Sequence, residues 1–380
     1  RKKNILMAIG TRPEAIKMAP LYKEIKKRDD KFNLTLCNTA QHRNMIDQVL
    51  EIFNIKPEID LDIMSEGQDL FDITTNILAS MKKILNSDSY DLLLVQGDTS
   101  TTMTSALAAF YKKVKVAHVE AGLRTNDLSA PYPEEFNRQV VTKCSKWHFA
   151  PTNNNKENLI NEGVNTENII VTGNTVIDAL MLVKHELEND NDFLDRTYEN
   201  IQEELEIDIF QEKYLLITGH RRENFGQGFE EICKAIKFLS EKYQNIQFIY
   251  PVHLNPNVKG PVKSLLGNLK NVHLIPPLDY QSFILLQKEA HIILTDSGGV
   301  QEEAPSLGKP VVVMRELTER PEAVEEGTVI LSGANQRNII DRTSELLESK
   351  DLYNKMAFIH NPYGDGGSSS RIVQFLLEKL

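Results

Sequence analysis

Short apolar runs rich in Val, Ile and Leu alternate with amphipathic helical stretches along almost the whole chain, and this alternation restricts the fold more than any other feature. In the first half the runs are NILMAIG (4–10), LTLCNTA (34–40), YDLLLVQGD (90–98), VKVAHVE (114–120) and NIIVTGN (168–174). Helical patterns lie between them, one opened by Pro13 and continuing to about Lys27, another at TTMTSALAAFYKK (101–113). Strands that are apolar throughout are buried on both faces, as in a parallel sheet covered by crossover helices. From His185 to Glu212 the pattern lapses into acidic, Asn-rich sequence with no strand periodicity. A second series then begins: YLLITGH (214–220), IQFIYPVH (246–253), VHLIPP (272–277), HIILTDSGG (291–299), PVVVM (310–314) and TVILSG (328–333). The expected fold is α/β, with two Rossmann-like doubly wound domains at 1–175 and 176–363 joined near residues 175–212. A length of 380 residues suits such a pair.

Charge and cysteine usage narrow the partners. A net charge of −11 argues against nucleic acid, whose phosphates reward basic faces, but leaves room for a small anion held by a few local cations. Cys37, Cys144 and Cys233 are odd in number, far apart and without a C-x-x-C pair, which fits buried, inert thiols in a reducing compartment. No apolar stretch reaches the roughly 18–20 residues that span a bilayer. The basic start RKKNILMAIG is too short in its apolar part for a signal peptide and reads as a first buried strand, so the expected location is the cytoplasm.

In doubly wound sheets, ligands gather at the carboxyl ends of the strands. Every polar cluster of interest falls at such an end: Thr11-Arg12, Asp98-Thr99, Glu120, His220 and Asp296-Ser297-Gly298-Gly299. The last is the clearest ligand signal. Its glycines admit close backbone approach, and the helix that follows offers free amides to an anion such as pyrophosphate. Glu303, about one helical turn beyond Gly299, can face the same ligand and accept from ribose hydroxyls. A plain tight turn is the competing reading. Arg12 can fork onto phosphate oxygens or join a surface ion pair, and Lys17 follows it in the first helix. Asp98, Glu120 and Glu134 come from three successive strand–helix junctions. Helix capping is the ordinary alternative for Asp98 and Glu134, whereas Glu120 ends a strand ahead of Ala-Gly.

Two nucleotide motifs are missing. There is no G-x-x-x-x-G-K-[ST], and the first strand leads into GTRPEA rather than G-x-G-x-x-G, which disfavours a bound NAD. Metal signals are weak too: no H-E-x-x-H occurs, and DLD (60–62) and DND (190–192) read as solvated faces.

Taken together, GTRPEAIKMAPL, QHR, QGDTST, HVEAGLRT, PYPEEFNR, GHRREN, DSGGVQEEAPSLGKPVVVMRE, TERPEA and NPYGDGGSSSRIV closely resemble the non-hydrolysing UDP-N-acetylglucosamine 2-epimerases. The motifs span nearly the whole chain in order. The resemblance implies a glycosyltransferase-B architecture, with two domains facing a cleft and a C-terminal helix (364–380) that crosses back to complete the first. It also implies reversible interconversion of UDP-GlcNAc and UDP-ManNAc without NAD or metal, supplying ManNAc units for cell-surface polysaccharide. In that chemistry UDP leaves to give 2-acetamidoglucal and then adds back, which requires acid/base groups on both faces of the sugar. By motif position, Asp98, Glu120 and Glu134 are implied as the carboxylates, with His220 and Arg12 steadying the departing diphosphate. Lys17, Phe283, Ser297, Gly298, Gly299, Glu303 and Arg320 are implied as the remaining UDP contacts.

Family members often bind a second UDP-GlcNAc as an activator, and Gln41, His42, Arg43, Gln68 and His253 fit that pattern. Asn44 and Gly67 depart from it. A homodimer is implied as well. The rival readings are a same-family 2-epimerase acting on a modified UDP-sugar and a glycosyltransferase of the same architecture.

Overall fold

The computed structural model describes residues 1–41, 43–219, 226–252 and 256–380. They form two compact units, Arg1–Ala179 with Tyr363–Leu380, and Leu180–Pro362. Unit 1 opens with β1 (Lys3–Ile9), α1 (Arg12–Lys26), β2 (Phe32–Asn38), α2 (Arg43–Ile52), β3 (Ile59–Asp60) and α3 (Leu70–Ser87). It continues through β4 (Leu92–Gln96), α4 (Ser100–Tyr111), β5 (Lys115–Val119), α5 (Glu134–Cys144), β6 (Trp147–Ala150), α6 (Asn153–Asn161) and β7 (Ile169–Val171). The helix α7 (Thr175–Asn189) begins in unit 1 and ends in unit 2. Unit 2 then holds α8 (Asn191–Gln202), β8 (Tyr214–Thr218), α9 (Gln227–Lys242), β9 (Gln247–Pro251), α10 (Pro256–Leu266), β10 (Val272–Ile275) and α11 (Tyr280–Glu289). Its remainder is β11 (Ile292–Thr295), α12 (Gly298–Glu303), β12 (Val311–Val313), α13 (Pro321–Glu326), β13 (Val329–Leu331), α14 (Gln336–Glu348) and α15 (Lys350–Ala357). The last helix, α16 (Ser368–Lys379), belongs to unit 1.

Each unit is built on one parallel sheet, ordered β3-β2-β1-β4-β5-β6-β7 in unit 1 and β10-β9-β8-β11-β12-β13 in unit 2. The central strands are buried on both faces, with Ile5 to Ala8, Leu92 to Val95 and Leu215 to Ile217 fully inaccessible. This is why they read as unbroken apolar runs rather than alternating ones. Strand order reverses between β1 and β4 in unit 1 and between β8 and β11 in unit 2. These are the switch points beside which ligands of doubly wound sheets bind.

Two strands go beyond the sequence reading. β3 is only two residues long, and β6 has the sequence WHFA, whose His148 breaks the apolar run. Side chains alternate across β6: Trp147 and Phe149 meet Phe375 of α16 edge-on, with centroids 5.8 and 5.6 Å away. The start of α16 rests on the Asp178 carboxylate, which accepts from the amides of Ser368 (3.2 Å) and Ser369 (2.7 Å). A negative charge there satisfies free helix amides and complements the dipole. Among the described residues no helix is long and apolar enough to cross a membrane.

Candidate active site

The unit 1 cluster starts at β1, where Gly10 is obligatory: a Cβ there would run into the hydroxyls of Thr39 and Thr101. Thr11 caps α1, whose first residue is the half-buried Arg12. One turn and a half further on, Lys17 places Nζ 2.6 Å from Glu120 Oε2, with only 16% and 10% of the two side chains exposed. Asn174, just past β7, donates to the same oxygen at 3.2 Å. Glu120 itself has φ +65°, a left-handed conformation rarely taken by a glutamate.

Asp98 follows Gly97, whose φ of +78° favours glycine at that turn. Thr99, not Asp98, caps α4 by accepting from the Thr102 amide, so the capping alternative does not apply to Asp98. Arg138 instead holds the Asp98 carboxylate, with Nη2 at 2.9 Å and Nε at 3.1 Å from Oδ2. Burial raises the Asp98 carboxyl above its ordinary value. The charges of Arg138 and Lys17 pull it down while those of Glu120 and Glu134 push it up, so these groups share one electrostatic neighbourhood. Glu134 is the half-buried first residue of α5, entered through cis bonds at Ala130-Pro131 and Tyr132-Pro133. Complementing the helix dipole thus remains open to it.

Several residues in this cluster are absent from the sequence reading. Arg138 and Asn137 follow on α5 after the carboxylate pair Glu134-Glu135 that opens it; Asn137 donates to the Asp98 carbonyl at 2.8 Å. Burial alone would raise the Glu135 carboxyl, but donation from the Thr125 and Asn126 amides, Arg138 and Gln139 wins and lowers it. Glu14 is almost wholly buried, accepts from the Gly10 and Thr11 amides and the hydroxyls of Thr11 and Thr99, and lies 3.1 Å from the Thr102 hydroxyl. Its signal was available, since Thr11-x-x-Glu14 has capping-box spacing.

Around the ends of β2 and β3, Gln41 accepts from Thr101 at 3.1 Å and Gln68 donates to the Ile63 carbonyl at 2.8 Å. Arg43 pairs with Asp60, Asp62 (2.9 Å) and Asp47 (3.5 Å). The DLD segment is solvent-exposed, as expected, and its two carboxylates pair there with a cation that sequence spacing does not connect to them. In DND, Asp190 caps α8. His42, His220 and His253 lie outside the described residues.

In unit 2, Ser297-Gly298-Gly299 link β11 to α12. A Cβ on Gly298 would overlap the Arg320 guanidinium, so glycine lets the cation sit against the turn. Glu302 fixes that guanidinium through Nε at 2.6 Å. Glu303 Oε1 lies 3.5 Å from the position of a Cβ on Gly299, so its carboxylate flanks the same turn. A cation, a glycine turn and a carboxylate acceptor are thus brought together; Phe283 is half-buried on α11. Among the described residues no group of three or more His, Cys, Asp or Glu is placed to hold a metal ion.

The family model for UDP-N-acetylglucosamine 2-epimerase matches residues 23–377. A UDP-N-acetylglucosamine 2-epimerase from Campylobacter jejuni is 53% identical over 376 residues, covering 99% of this chain and 98% of the relative. The crystal structure of UDP-GlcNAc 2-epimerase from Neisseria meningitidis bound to UDP-GlcNAc superposes with a TM-score of 0.91 at 49% identity, covering 99% of this chain and 100% of that one. The Methanocaldococcus jannaschii UDP-GlcNAc 2-epimerase, solved in complex with UDP-GlcNAc and UDP, gives 0.80 at 34% identity, with 99% of both chains covered. The two parallel α/β units accordingly follow the glycosyltransferase-B-like fold of these enzymes. On sequence, fold and the full-length match, the chain belongs to the UDP-N-acetylglucosamine 2-epimerase family.

Proposed function

We propose that this chain interconverts UDP-N-acetylglucosamine and UDP-N-acetylmannosamine by elimination of UDP and its re-addition to 2-acetamidoglucal. The observation that carries the mechanism is the unequal treatment of carboxylates at neighbouring strand ends. Glu120 is ion-paired with Lys17 at 2.6 Å and hydrogen-bonded by Asn174, which favours its charged form. The Asp98 carboxyl is raised by burial despite its ion pair with Arg138, with the charges of Glu120 and Glu134 adding to the rise and that of Lys17 opposing it.

The chemistry requires such a division. The C2 proton is not acidic while the anomeric bond to UDP is intact, so bond breaking and proton removal must be coupled. In this reading Glu120 stays ionised and steadies positive charge as the anomeric C–O bond opens. Asp98 and Glu134 serve as the proton carriers, one removing the C2 proton and the other delivering a proton to the opposite face. The Ser297-Gly298-Gly299 turn, Arg320 and Glu303 grip the nucleotide, Phe283 lies against it, and Arg12 and His220 stabilise the leaving diphosphate. The sugar alone is rearranged, so the route calls for no oxidant.

A homodimer and a second, activating UDP-GlcNAc near Gln41, Arg43 and Gln68 complete the proposal. Asp60 and Asp62 already pair with Arg43, so an activating nucleotide sugar there competes with them for its guanidinium.

The deciding experiment is NMR of the reaction in D2O with 18O in the glycosidic bridge. Product carrying deuterium at C2, with 18O moved into the non-bridging β-phosphate oxygens, is the expected result. Epimerised product with neither label change rules out elimination.

A further inference from the structure

We infer that Asn137 and Glu14 are positioning residues that lock the turn carrying Asp98, so that Asp98 and Glu134 keep a fixed separation. The inference rests on the acid/base role proposed for Asp98.

The turn is held from four sides. The Thr102 hydroxyl donates to the Gln96 carbonyl at 2.6 Å. His118 of β5 bonds the Gly97 carbonyl through Nε2 at 2.7 Å. Asn137 of α5 donates to the Asp98 carbonyl at 2.8 Å. Glu14 of α1 accepts from the Thr99 hydroxyl at 2.8 Å, and the same oxygen lies 3.1 Å from the Thr102 hydroxyl. Three consecutive carbonyls of a strand-to-helix turn thus each meet a side chain, and the next residue's hydroxyl meets a fourth. Buried carbonyls need a partner, but ordinary turns meet that need with backbone or water. Here the partners come from α4, β5, α5 and α1.

The placement of Asn137 gives the clamp its purpose. It lies one helical turn after Glu134, and on a helix residues three apart share a face. The helix that presents Glu134 therefore also grips the backbone of Asp98. Glu14 extends the same brace to the turn bearing Arg12, because its other oxygen accepts from the Gly10 amide (3.0 Å) and the Thr11 amide (2.8 Å). Burial raises the Glu14 carboxyl above its ordinary value, and the hydrogen bonds from Thr11, Thr99, Thr102 and the Gly10 amide pull against that rise.

A double-mutant cycle separates positioning from general stability. Asn137→Ala is expected to lower kcat about 10- to 100-fold, the cost of displacing a reacting group by about 1 Å, with KM and the calorimetric Kd for UDP changed by less than about twofold. Placed in an Asp98→Asn background, the same substitution should change kcat by less than about twofold, because the group it positions is already gone. Thr102→Val should repeat the pattern and Thr102→Ser restore the rate, which serves if Asn137→Ala does not fold. Equal losses in both backgrounds, or a loss in KM alone, overturn the inference. An Asp98→Asn enzyme with the wild-type rate instead removes the role of Asp98 on which it rests.

Discussion

His118 and His148 face one another across β5 and β6, with 0% and 2% of their surfaces exposed. Burial, opposed by the bond to the Gly97 carbonyl, holds the His118 pKa down to about 3. Burial and the charge of Arg124 hold that of His148 at about 4. Both rings are therefore neutral in the folded chain from about pH 6.5 down to about pH 5, where unfolded histidines, with values near 6.5, are already taking up protons. Protons bind the unfolded state preferentially, so stability falls as pH drops below 6.5 and continues to fall until the folded-state pKa is reached. Between about pH 7.5 and about pH 5, each ring withdraws about 2 kcal/mol from the folded state. The pair together removes about 4 kcal/mol, a large share of a typical stability of about 5–15 kcal/mol.

His118→Gln isolates one of the two. Glutamine retains an N–H donor for the Gly97 carbonyl but cannot be charged. Denaturant unfolding can be followed through Trp147, the only tryptophan in the chain, which adjoins His148 and therefore reports on unit 1. The variant is expected to lose about 2 kcal/mol less than wild type between about pH 7.5 and about pH 5. Stability curves that stay parallel over that range would show that His118 is protonated in the folded state and refute the reasoning.

Asp98→Asn and Glu134→Gln should each lower kcat at least ~100-fold, the usual scale for a general acid or base, and near-normal turnover in both would return them to structural roles. Glu303→Ala should weaken UDP binding in calorimetry by roughly 1.5–3 kcal/mol, the worth of a hydrogen bond to a charged acceptor, and unchanged affinity would mean that the turn at Ser297 holds something else. Extensively dialysed enzyme treated with a chelator should keep its rate without added NAD; activity restored only by NAD or a divalent ion would contradict elimination.

Much of the fold is legible because parallel strands buried on both faces leave long apolar runs. β6 is not, because its histidine leaves only two apolar residues in a row in a four-residue strand, whereas β5 is longer and keeps VAHV legible; β3 is too short to impose any periodicity. The candidate site is legible where residues stand at strand ends, as Asp98, Glu120 and Ser297 do. The partners that hold them are not. Lys17 meets Glu120 across 103 residues, and Arg138 meets Asp98 across 40. Spacing along a chain carries no information about such pairs, which depend on which strands lie side by side. The Arg43–Asp60–Asp62 group is hidden in the same way: each residue looks solvent-facing alone, and only the β2–β3 pairing brings them together.

Glu120 shows how departures from local rules collect where the chemistry is proposed. A non-glycine residue at φ +65° costs on the order of 1–3 kcal/mol, so surrounding structure must over-determine it. The next glycine explains part of that conformation: Gly122, at φ +93°, lies so close to Asn155 that a Cβ would overlap its carbonyl oxygen. Asn158 donates to the Gly122 carbonyl at 2.9 Å, and the Ala121 amide donates to the Phe149 carbonyl at 3.0 Å. The chain leaving β5 is thus pulled toward α6 and β6, while Lys17 and Asn174 hold the Glu120 carboxylate. Relaxing the backbone would require breaking a buried ion pair, and removing one partner of such a pair typically costs about 3–5 kcal/mol. Keeping the ion pair outweighs relieving the backbone, and the strain is retained. A residue that merely ended a strand would not need this arrangement; the role proposed for Glu120, a carboxylate held beside a developing cation, would.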